Sequence, residues 1–537
     1  MYKFALAKLL SDVLRSVKMG NRIQMFFVLV FCVGFLSSCS NQSLPDNFPL
    51  NPVLPGDRPN PTIVKVGGSY YASATSNEWS PLFPIFKSDD LQNWKLISYV
   101  FPGGAPDWAD RNFWAPELSY DEKQGKMFVY YTGRDKNNNK ACIAVATADS
   151  PEGPYTDHGP INTIGFGAID PFQIDDKDGN PYLVWKEEDQ PGKSSIIWIQ
   201  QLNNDHERLI GEKHEMIRND QDWEEHAVEG PALFQNGDYY YLLFSAGNCC
   251  DNNCDYKIGV ARSTNLLGPW EKYSANPVIK NNADWKCPGT GTVIENDGEF
   301  YLLYHAFSSK GGAFVGREGV LEKVEWTDDE WPVFKNNLTD NFPKEAMNFV
   351  DDFSGALDSY WQWRSTQQIT YATGESGLML AASTENDQLG SLLVQPIRST
   401  DFEFKASIDL SNTAPDAEGG IALIGASNNY YGAPVAGIGV SAGHDKIEVW
   451  QTSDQETSFF EAIATPPSSE IVELKMELKQ GHVLKFSVLQ NNLWRVIADS
   501  VDAKSFTPWG MGFRLGLVSK GKSDQFVNIK KIELSNY

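Results

Sequence analysis

Four residues that could do chemistry stand at corresponding places in this sequence, just before repeated strand-and-turn units. They are an amide, an aromatic and two carboxylates, Asn60, Trp114, Asp170 and Glu229, and the fifth position is Gly289-Thr290. Successive members are 54, 56, 59 and 60 residues apart. Paired carboxylates beside an aromatic wall suit cleavage of a glycosidic bond, because one carboxyl protonates the leaving oxygen while another activates water.

Glu229 lies at the head of the clearest unit. The stretch Ala227-Val-Glu-Gly-Pro-Ala-Leu-Phe leads through Asn236-Gly237 into Tyr239-Tyr-Tyr-Leu-Leu-Phe. An Asn-Gly pair between apolar runs predicts a β-hairpin, because both turn residues accept a positive φ. A carboxylate among apolar residues is costly to bury alone. Glu229 is therefore a candidate functional group, and a rim carboxylate at a strand start is the alternative.

A turn followed by an aromatic strand occurs five times. The copies, aligned on Tyr70, Phe128, Tyr182, Tyr240 and Phe300, are 58, 54, 58 and 60 residues apart. A repeat of this length made of short strands is typical of a four-stranded propeller blade. We therefore predict an all-β fold with a five-bladed β-propeller over residues 51–345. The innermost strands of such a propeller bring the five candidate positions to one end of its axis.

The pattern changes near Met347. Residues 346–537 contain short strands separated by turns rich in Ser, Thr and Gly, and Phe402-Glu-Phe-Lys-Ala-Ser-Ile-Asp-Leu is one such strand. About 190 residues of this kind predict a β-sandwich.

Composition restricts the class of partner. The 537 residues carry a formal net charge of -25, which argues against nucleic acid because that partner requires a basic patch. Aromatic residues make up 12 % of the chain, and flat rings suit both β-sheets and sugars. A neutral small molecule or polymer, such as an oligo- or polysaccharide, fits best.

The N-terminal sequence has the features of a targeting segment. Arg22 precedes a short apolar run that ends in Leu36-Ser-Ser-Cys39, which predicts a signal peptide over residues 1–39 and a tether over 40–50. Leu36-Ser-Ser-Cys39 resembles a bacterial lipobox, in which Cys39 is lipidated and anchors the chain to the membrane of the cell envelope. A plain secretory signal is the alternative.

Five further cysteines follow, and four of them lie in or near one loop. An exported compartment permits disulfides, and the paired spacing of a zinc site is absent. We expect one or two disulfides among Cys249, Cys250, Cys254 and Cys287, with a vicinal bond among the alternatives. We predict no metal site from these residues.

Taken together, these motifs resemble glycoside hydrolase family 43, whose five-bladed propeller carries three acidic residues in this order. Asp170 in Ile-Asp-Pro matches the residue that orients the acid and raises its pKa, and Glu229 in Glu-Gly-Pro matches the general acid. Trp114 in Trp-Ala-Pro matches a pocket wall, and Arg317 in Gly-Arg-Glu-Gly-Val-Leu resembles a late-blade arginine. The sandwich resembles the concanavalin-like module of xylosidase-type members.

The resemblance implies inverting hydrolysis of terminal pentosyl or furanosyl residues, in an α-L-arabinofuranosidase or β-xylosidase. It implies no required cofactor and leaves room for a structural calcium ion. We expect Asp170 to keep Glu229 protonated near neutral pH, because a neighbouring negative charge disfavours ionisation. Trp79 and Phe113 are candidates for the sugar pocket, and blade packing is the alternative for each.

Two residues depart from the family pattern. Asn60 in Pro-Asn-Pro-Thr replaces the aspartate that serves as the general base, and such a loss costs roughly 10²- to 10⁴-fold in rate. Asp57 is a candidate substitute, with a turn or rim residue as the alternative. Thr290 stands where many members carry an axial histidine, which weakens the case for calcium. Two other hypotheses stay open, an exo-galactofuranosidase and a base-deficient, non-catalytic glycan-binding lipoprotein.

Overall fold

The computed structural model describes residues 49–162, 165–250, 253–343, 347–383, 388–427, 432–453, 456–464 and 470–537. The predicted signal peptide, its lipidation site Cys39 and most of the predicted tether lie outside the described residues. None of the helices in the described ranges combines the length and hydropathy of a membrane span.

The N-terminal part of the described chain consists of five small antiparallel sheets. Its elements are β1 (Thr62–Val66), β2 (Ser69–Ser73), β3 (Trp79–Ser80), β4 (Leu82–Ser88), β5 (Lys95–Phe101), β6 (Ala109–Asp121), β7 (Lys126–Asp135), β8 (Ala141–Ala148), β9 (Thr156–Asn162), β10 (Ala168–Asp175), β11 (Pro181–Glu187), β12 (Ile196–Leu202), β13 (Leu209–Arg218), β14 (Val228–Asn236), β15 (Tyr239–Ala246), β16 (Lys257–Ser263), β17 (Glu271–Lys272), β18 (Trp285–Asn296), β19 (Glu299–Ser308), α1 (Gly312–Val315), β20 (Arg317–Lys323), β21 (Glu325–Trp326) and β22 (Pro332–Val333).

These sheets form a closed ring of five blades. The inner strands contact one another in the cyclic order β1, β6, β10, β14, β18 and back to β1. The first four blades have four strands each and the fifth has β18, β19 and β20. Leu54 pairs with Gly319 of β20, so the segment before blade one lies along the outside of blade five and helps to close the ring. The predicted five-bladed propeller is confirmed.

The turn inside each repeat explains why the five copies look alike in sequence. In the fourth repeat, Asn236 pairs with Tyr239, so the two turn residues are Gly237 and Asp238 rather than Asn236 and Gly237. Gly237 has a φ of 59°, a conformation that favours glycine at the first position of a hairpin turn. The hairpin prediction therefore holds with its turn shifted by one residue.

The C-terminal part consists of two antiparallel sheets that pack face to face. Its elements are β23 (Phe349–Asp351), β24 (Trp363–Arg364), β25 (Tyr371–Gly374), β26 (Gly377–Ala381), β27 (Ser391–Pro396), β28 (Phe402–Asp409), β29 (Glu418–Ala426), β30 (Val435–Ala442), β31 (Lys446–Ser453), β32 (Glu456–Ala464), β33 (Ile471–Lys479), β34 (Val483–Gln490), β35 (Leu493–Asp502), β36 (Arg514–Lys520) and β37 (Phe526–Asn536).

Alternation along the strands produces the core of this sandwich. In β28, Phe402 and Phe404 are fully buried between the sheets, whereas Glu403 and Lys405 lie on the outer face. Successive side chains of a strand point to opposite faces, so an apolar-polar alternation buries one face only. The order β27-β36-β29-β30-β31-β32 in one sheet opposes β25-β26-β37-β28-β33-β34-β35 in the other. The predicted sandwich is confirmed.

The propeller and the sandwich contact each other near the ring axis. The short strand β3 pairs with β24, and Trp79 packs in a buried cluster with Leu392, Trp450 and Val518 of the sandwich. The loop between residues 507 and 513 of the sandwich approaches the blade-five helix, where the Phe513 amide donates to the Phe314 carbonyl at 2.7 Å. This packing places part of the sandwich over the end of the propeller that carries the candidate residues.

Candidate active site

A repeated irregularity in the inner strands directs the candidate side chains toward the axis. The pairing of β6, β10, β14 and β18 with their neighbours is interrupted by a register shift near the candidate position of each strand. Asp170, Gly230 and Thr290 adopt positive φ angles of 55°, 56° and 34° there, and Asn60 has a φ of 50° just before β1. Bulges re-aim side chains beside active sites. The strand heads therefore turn inward at the same level.

The turned-in residues line a small pocket of about 120 Å³ on the axis. This inner pocket is lined by Asn60, Thr75, Asn77, Trp114, Ile169, Asp170, Glu229, Cys249, Cys250, Tyr256, Thr290, Arg317, Trp509 and Gly510. It opens into an outer cavity of about 910 Å³ between blades and sandwich, with which it shares Asn77, Trp114, Glu229 and Trp509 among other residues. The structure thus brings together Asn60, Trp114, Asp170, Glu229 and Arg317, as the sequence predicts.

Glu229 is held by two donors. Lys186 Nζ lies 2.9 Å from Oε2, and the Tyr256 hydroxyl donates to Oε1 at 2.8 Å. Burial alone would raise the pKa of Glu229, but the Lys186 charge and the hydrogen bonds from Lys186 and Tyr256 outweigh it and lower that pKa. Lys186 is itself buried, and its pKa is raised by Glu229 and Asp189 despite the burial. Both shifts favour the ionised forms of Glu229 and Lys186.

Asp170 carries the opposite perturbation. Burial and the negative charge of Glu229 raise the pKa of Asp170 to about 7, although the Gly230 amide donates to its Oδ2 at 2.9 Å. Our expectation that Asp170 keeps Glu229 protonated needs correction, because Lys186 favours the charged form of Glu229. Of the two carboxyls, Asp170 is therefore the one that keeps its proton to the higher pH.

Asn60 is held in the inner pocket through its backbone amide and its side-chain oxygen. Its backbone amide donates to His305 Nδ1 at 3.1 Å, and its side-chain Oδ1 accepts from Arg317 Nη1 at 3.2 Å. His305 is fully buried, and burial together with the Arg317 charge lowers its pKa well below the usual value, so the imidazole is neutral. Arg317 Nη2 also donates to the Gly510 carbonyl of the sandwich at 2.8 Å.

Asp57 does not lie in the inner pocket. Its carboxylate is buried at the contact between the two domains, 3.4 Å from Arg514 Nη2 of the sandwich. Burial raises its pKa in spite of the nearby arginines. Asp57 lines neither the inner pocket nor the outer cavity, so its position does not fit the hypothesis of a substitute base.

The three aromatic candidates take different places. Trp114 lines both the pocket and the outer cavity, and its Nε1 donates to Asn77 Oδ1 at 2.7 Å. Trp79 borders the outer cavity, with the Arg514 guanidinium 4.8 Å from its ring centre. Phe113 is fully buried and packs edge-on against Phe83, which corrects its assignment to the pocket wall. Trp114 faces the pocket because side chains alternate along the strand.

Sequence reasoning missed Lys186, Tyr256 and the sandwich loop at Trp509. Lys186 is the second-last residue of β11 and pairs with Ile169, the neighbour of Asp170. A lysine at the end of an apolar strand beside a candidate carboxylate is a signal that could have found it. Trp509 and Gly510 come from a separate domain, and local sequence gives no sign of their approach.

Two disulfides border or support the pocket. Cys249 bonds to its neighbour Cys250, and Cys254 bonds to Cys287. The Cys250 carbonyl accepts a hydrogen bond from the Gly510 amide at 2.9 Å. The vicinal bond thus lies where the blade-four loop meets the sandwich.

The axial residues do not fit a calcium ion. Calcium takes six to eight oxygen ligands, mostly from charged or strongly polar groups. Glu117, at the axial cavity of about 20 Å³, accepts from Thr62 at 2.8 Å, and burial raises its pKa well above the usual value. Among the residues with described positions, no three His, Cys, Asp or Glu side chains are grouped to hold a metal. We assign no chemistry to a metal.

Comparison with known proteins supports this assembly. The family model of glycosyl hydrolases family 43 matches residues 49–332, and that of the beta xylosidase C-terminal concanavalin A-like domain matches residues 350–525. A xylan 1,3-beta-xylosidase of Vibrio sp. is 29 % identical over 330 residues, which cover 56 % of this chain and 59 % of that protein. A xylosidase/arabinosidase 43B of Humicola insolens is 28 % identical, covering 67 % of this chain and 71 % of its own length.

A solved structure shares the whole described architecture. The crystal structure of a xylan beta-1,4-xylosidase from Bacillus halodurans C-125 superposes with a TM-score of 0.75 at 22 % identity. The superposition covers 91 % of this chain and 100 % of that chain. At this identity the likeness concerns the fold.

Proposed function

Because the chain belongs to glycoside hydrolase family 43, we propose that it removes terminal pentosyl or furanosyl residues from plant-type oligo- or polysaccharides. The α-L-arabinofuranosidase and β-xylosidase types are the first candidates, in keeping with the names of its relatives. The observation that carries the proposal is the joining of Asp170, Glu229 and the base position Asn60 in one pocket.

The shape of the site favours attack at chain ends. The inner pocket is small and lies on the axis, whereas the outer cavity is several times larger. Trp509 and Gly510 of the sandwich contribute to the wall of the pocket. A single sugar ring enters such a pocket while the rest of the substrate occupies the outer cavity, so the enzyme is exo-acting.

Glu229 is the proposed general acid. It lies where the pocket opens into the outer cavity, and a leaving oxygen at that junction comes within its reach. Glu229 must be protonated to act as the acid, a state that the Lys186 charge disfavours, and the raised pKa of Asp170 makes it the neighbouring carboxyl able to supply that proton. We propose that Glu229 delivers this proton to the leaving oxygen.

Asn60 limits the activation of the attacking water, which in an inverting hydrolysis takes place in the same step as departure of the leaving group. Its amide can orient a water molecule by hydrogen bonding but cannot take the proton of that water as a carboxylate does. Turnover is therefore slow relative to an aspartate at this position, by roughly 10²- to 10⁴-fold. The same observation favours a second candidate function, a glycan-binding lipoprotein that does not catalyse.

Export is part of the proposal. The two disulfides support it, because such bonds persist in oxidising compartments outside the cytoplasm. Lipid anchoring at Cys39 in the bacterial cell envelope stays a prediction.

The test is turnover of aryl α-L-arabinofuranosides, β-xylosides and β-galactofuranosides by the protein as it stands and by Asn60→Asp. We expect weak pentoside turnover that rises in Asn60→Asp and falls in Glu229→Gln, least for the aryl group that leaves most easily. Preference for the galactofuranoside would replace the pentosidase assignment with the exo-galactofuranosidase. Turnover confined to Asn60→Asp would mean that the protein as it stands is a binder or an inactivated copy, and no turnover by either protein would reject the enzyme.

A further inference from the structure

We propose that Phe166 and the loop before β12 form a binding subsite for the leaving-group sugars of the substrate. This inference rests on the proposed function, because it assigns the part of the saccharide that leaves when the terminal residue is cleaved. The ligand is an uncharged oligosaccharide segment of two or more rings.

The subsite lies where two cavities meet. Phe166, Glu188 and Asp189 line both the outer cavity and an adjoining cavity of about 480 Å³, whose walls include Gln190 and residues 193–196. The space therefore continues away from the inner pocket past Phe166. When the terminal ring of a saccharide occupies the inner pocket, its remaining rings extend into the outer cavity and the cavity that adjoins it.

Phe166 is displayed to solvent by a glycine on each side. Its side chain is 61 % exposed. Gly165 and Gly167 have φ angles of 85° and 150°, and a Cβ at Gly165 would lie only 2.6 Å from Glu187 Oε1. A Cβ at Gly167 would likewise collide with the carboxylate of Glu188. The backbone thus approaches these carboxylates closely only because both neighbours of Phe166 are glycines.

The tip is anchored although its ring is exposed. The Gly167 carbonyl accepts from the Glu188 amide at 3.0 Å, and the Gly165 carbonyl accepts from Lys140 Nζ at 3.0 Å. Lys193 Nζ lies 5.3 Å from the centre of the Phe166 ring. Phe166 differs from a scattered surface hydrophobic residue because its exposed ring, on an anchored loop, lines both of the adjoining cavities.

The three carboxylates nearest the ring are each paired with a cation, so the surface does not require a positively charged ligand. Glu187 lies 3.8 Å from Lys213, Glu188 lies 2.7 Å from Arg134, and Asp189 lies 2.8 Å from Lys186. The paired carboxylates retain lone pairs that can accept sugar hydroxyls. An aromatic face with a few polar groups around it matches a sugar ring, which has an apolar C–H face and a hydroxylated edge.

Binding measurements test the subsite without relying on turnover. We would titrate the protein calorimetrically with β-1,4-xylotetraose, with α-1,5-arabinotetraose and with the two free pentoses. We expect Phe166→Ala to weaken binding of the better tetrasaccharide by about three- to tenfold, the cost of one aromatic contact. In Phe166→Ala, the ratio of the affinity for the free pentose to that for the tetrasaccharide should rise by the same factor. Phe166→Trp should bind the tetrasaccharide as the wild type does.

Phe459→Ala is the matched control. Phe459 is 56 % exposed, with Lys446 Nζ 5.4 Å from its ring centre, but it belongs to β32 of the sandwich and lines neither cavity. Its loss should leave tetrasaccharide affinity unchanged.

The outcomes separate the two proposals. Equal tetrasaccharide affinity of wild type and Phe166→Ala overturns the subsite, even if the wild type hydrolyses aryl glycosides. Failure of the wild type to bind either tetrasaccharide more tightly than the free pentose also overturns it. Phe166-dependent binding without any turnover supports the subsite and rejects the hydrolase.

Discussion

The acid side and the base side of the pocket are built in opposite ways. On the acid side, Glu229 and Asp170 are two carboxyls that titrate against each other beside Lys186. On the base side, Asn60 is a neutral amide held by Arg317 and a neutral His305. The acid side is supplied by the propeller alone, whereas the base side is linked through Arg317 to the sandwich. In the mechanism proposed above, the pocket therefore has a proton donor at Glu229 and a neutral amide, Asn60, at the position assigned to the base.

Removing the acid should have the largest effect. We expect Glu229→Gln to lower kcat for a pentoside with a poor leaving group by roughly 10²- to 10⁴-fold, because the glutamine amide cannot give a proton to the leaving oxygen as a carboxylic acid does. Steady-state kinetics would show it. An aryl glycoside with a good leaving group needs less protonation and should lose less. Equal losses with both substrates would contradict the assignment of Glu229 as the acid.

Restoring the base should act in the other direction. Asn60→Asp should raise kcat by roughly 10²-fold, because a carboxylate at this position accepts the proton of the attacking water. Proton NMR of the first sugar product would reveal inversion at the anomeric carbon. Asn60→Ala is the control, since it removes the amide without adding a base. A gain in Asn60→Ala equal to that in Asn60→Asp would exclude base catalysis as its cause.

The pH dependence tests the acid side more finely. Asp170, whose pKa is raised to about 7, loses its proton as pH rises through that value, so kcat/KM should fall above it. Lys186→Met removes the positive charge that favours the ionised carboxylates, which raises their pKa and moves this alkaline limb to higher pH.

Lys323→Met, in an exposed ion pair with Glu299 on blade five, is the matched control for the pH profile. It should leave the alkaline limb in place. An unmoved limb in Lys186→Met would show that Lys186 does not set the protonation of the pair.

Asp57→Asn should have the smallest catalytic effect. We expect kcat to change by less than about twofold, because Asp57 lies at the domain contact outside the pocket. The free energy of unfolding should fall by about 1–3 kcal/mol, since Arg514 loses the charge of its buried partner. Denaturant unfolding and kinetics on the same sample would check both. A loss of activity as large as that of Glu229→Gln would restore Asp57 as a base.

The sequence predicted the features that recur in every blade. It missed the residues that reach the pocket from strands or domains far away in the chain. Five similar turns revealed the blades, and their common spacing located Asp170 and Glu229. The orientation of neighbouring side chains was harder to predict. Alternation along the strand places Phe113 in the core and Trp114 in the pocket, but the sequence pattern does not show which of the two faces the pocket. Lys186 and Trp509 reach the pocket from other strands and another domain. Only the assembled structure relates them to Glu229.

The position of Gly510 between the two domains bears on how these domains can be exchanged in evolution. Its amide donates to Cys250 and its carbonyl accepts from Arg317, and both partners line the inner pocket. The pocket wall thus belongs to neither domain alone. Recombination that exchanges the sandwich between relatives would exchange part of the substrate selectivity as well. The unit on which selection for a given sugar acts is the two-domain pair, although each domain is recognised as a separate family.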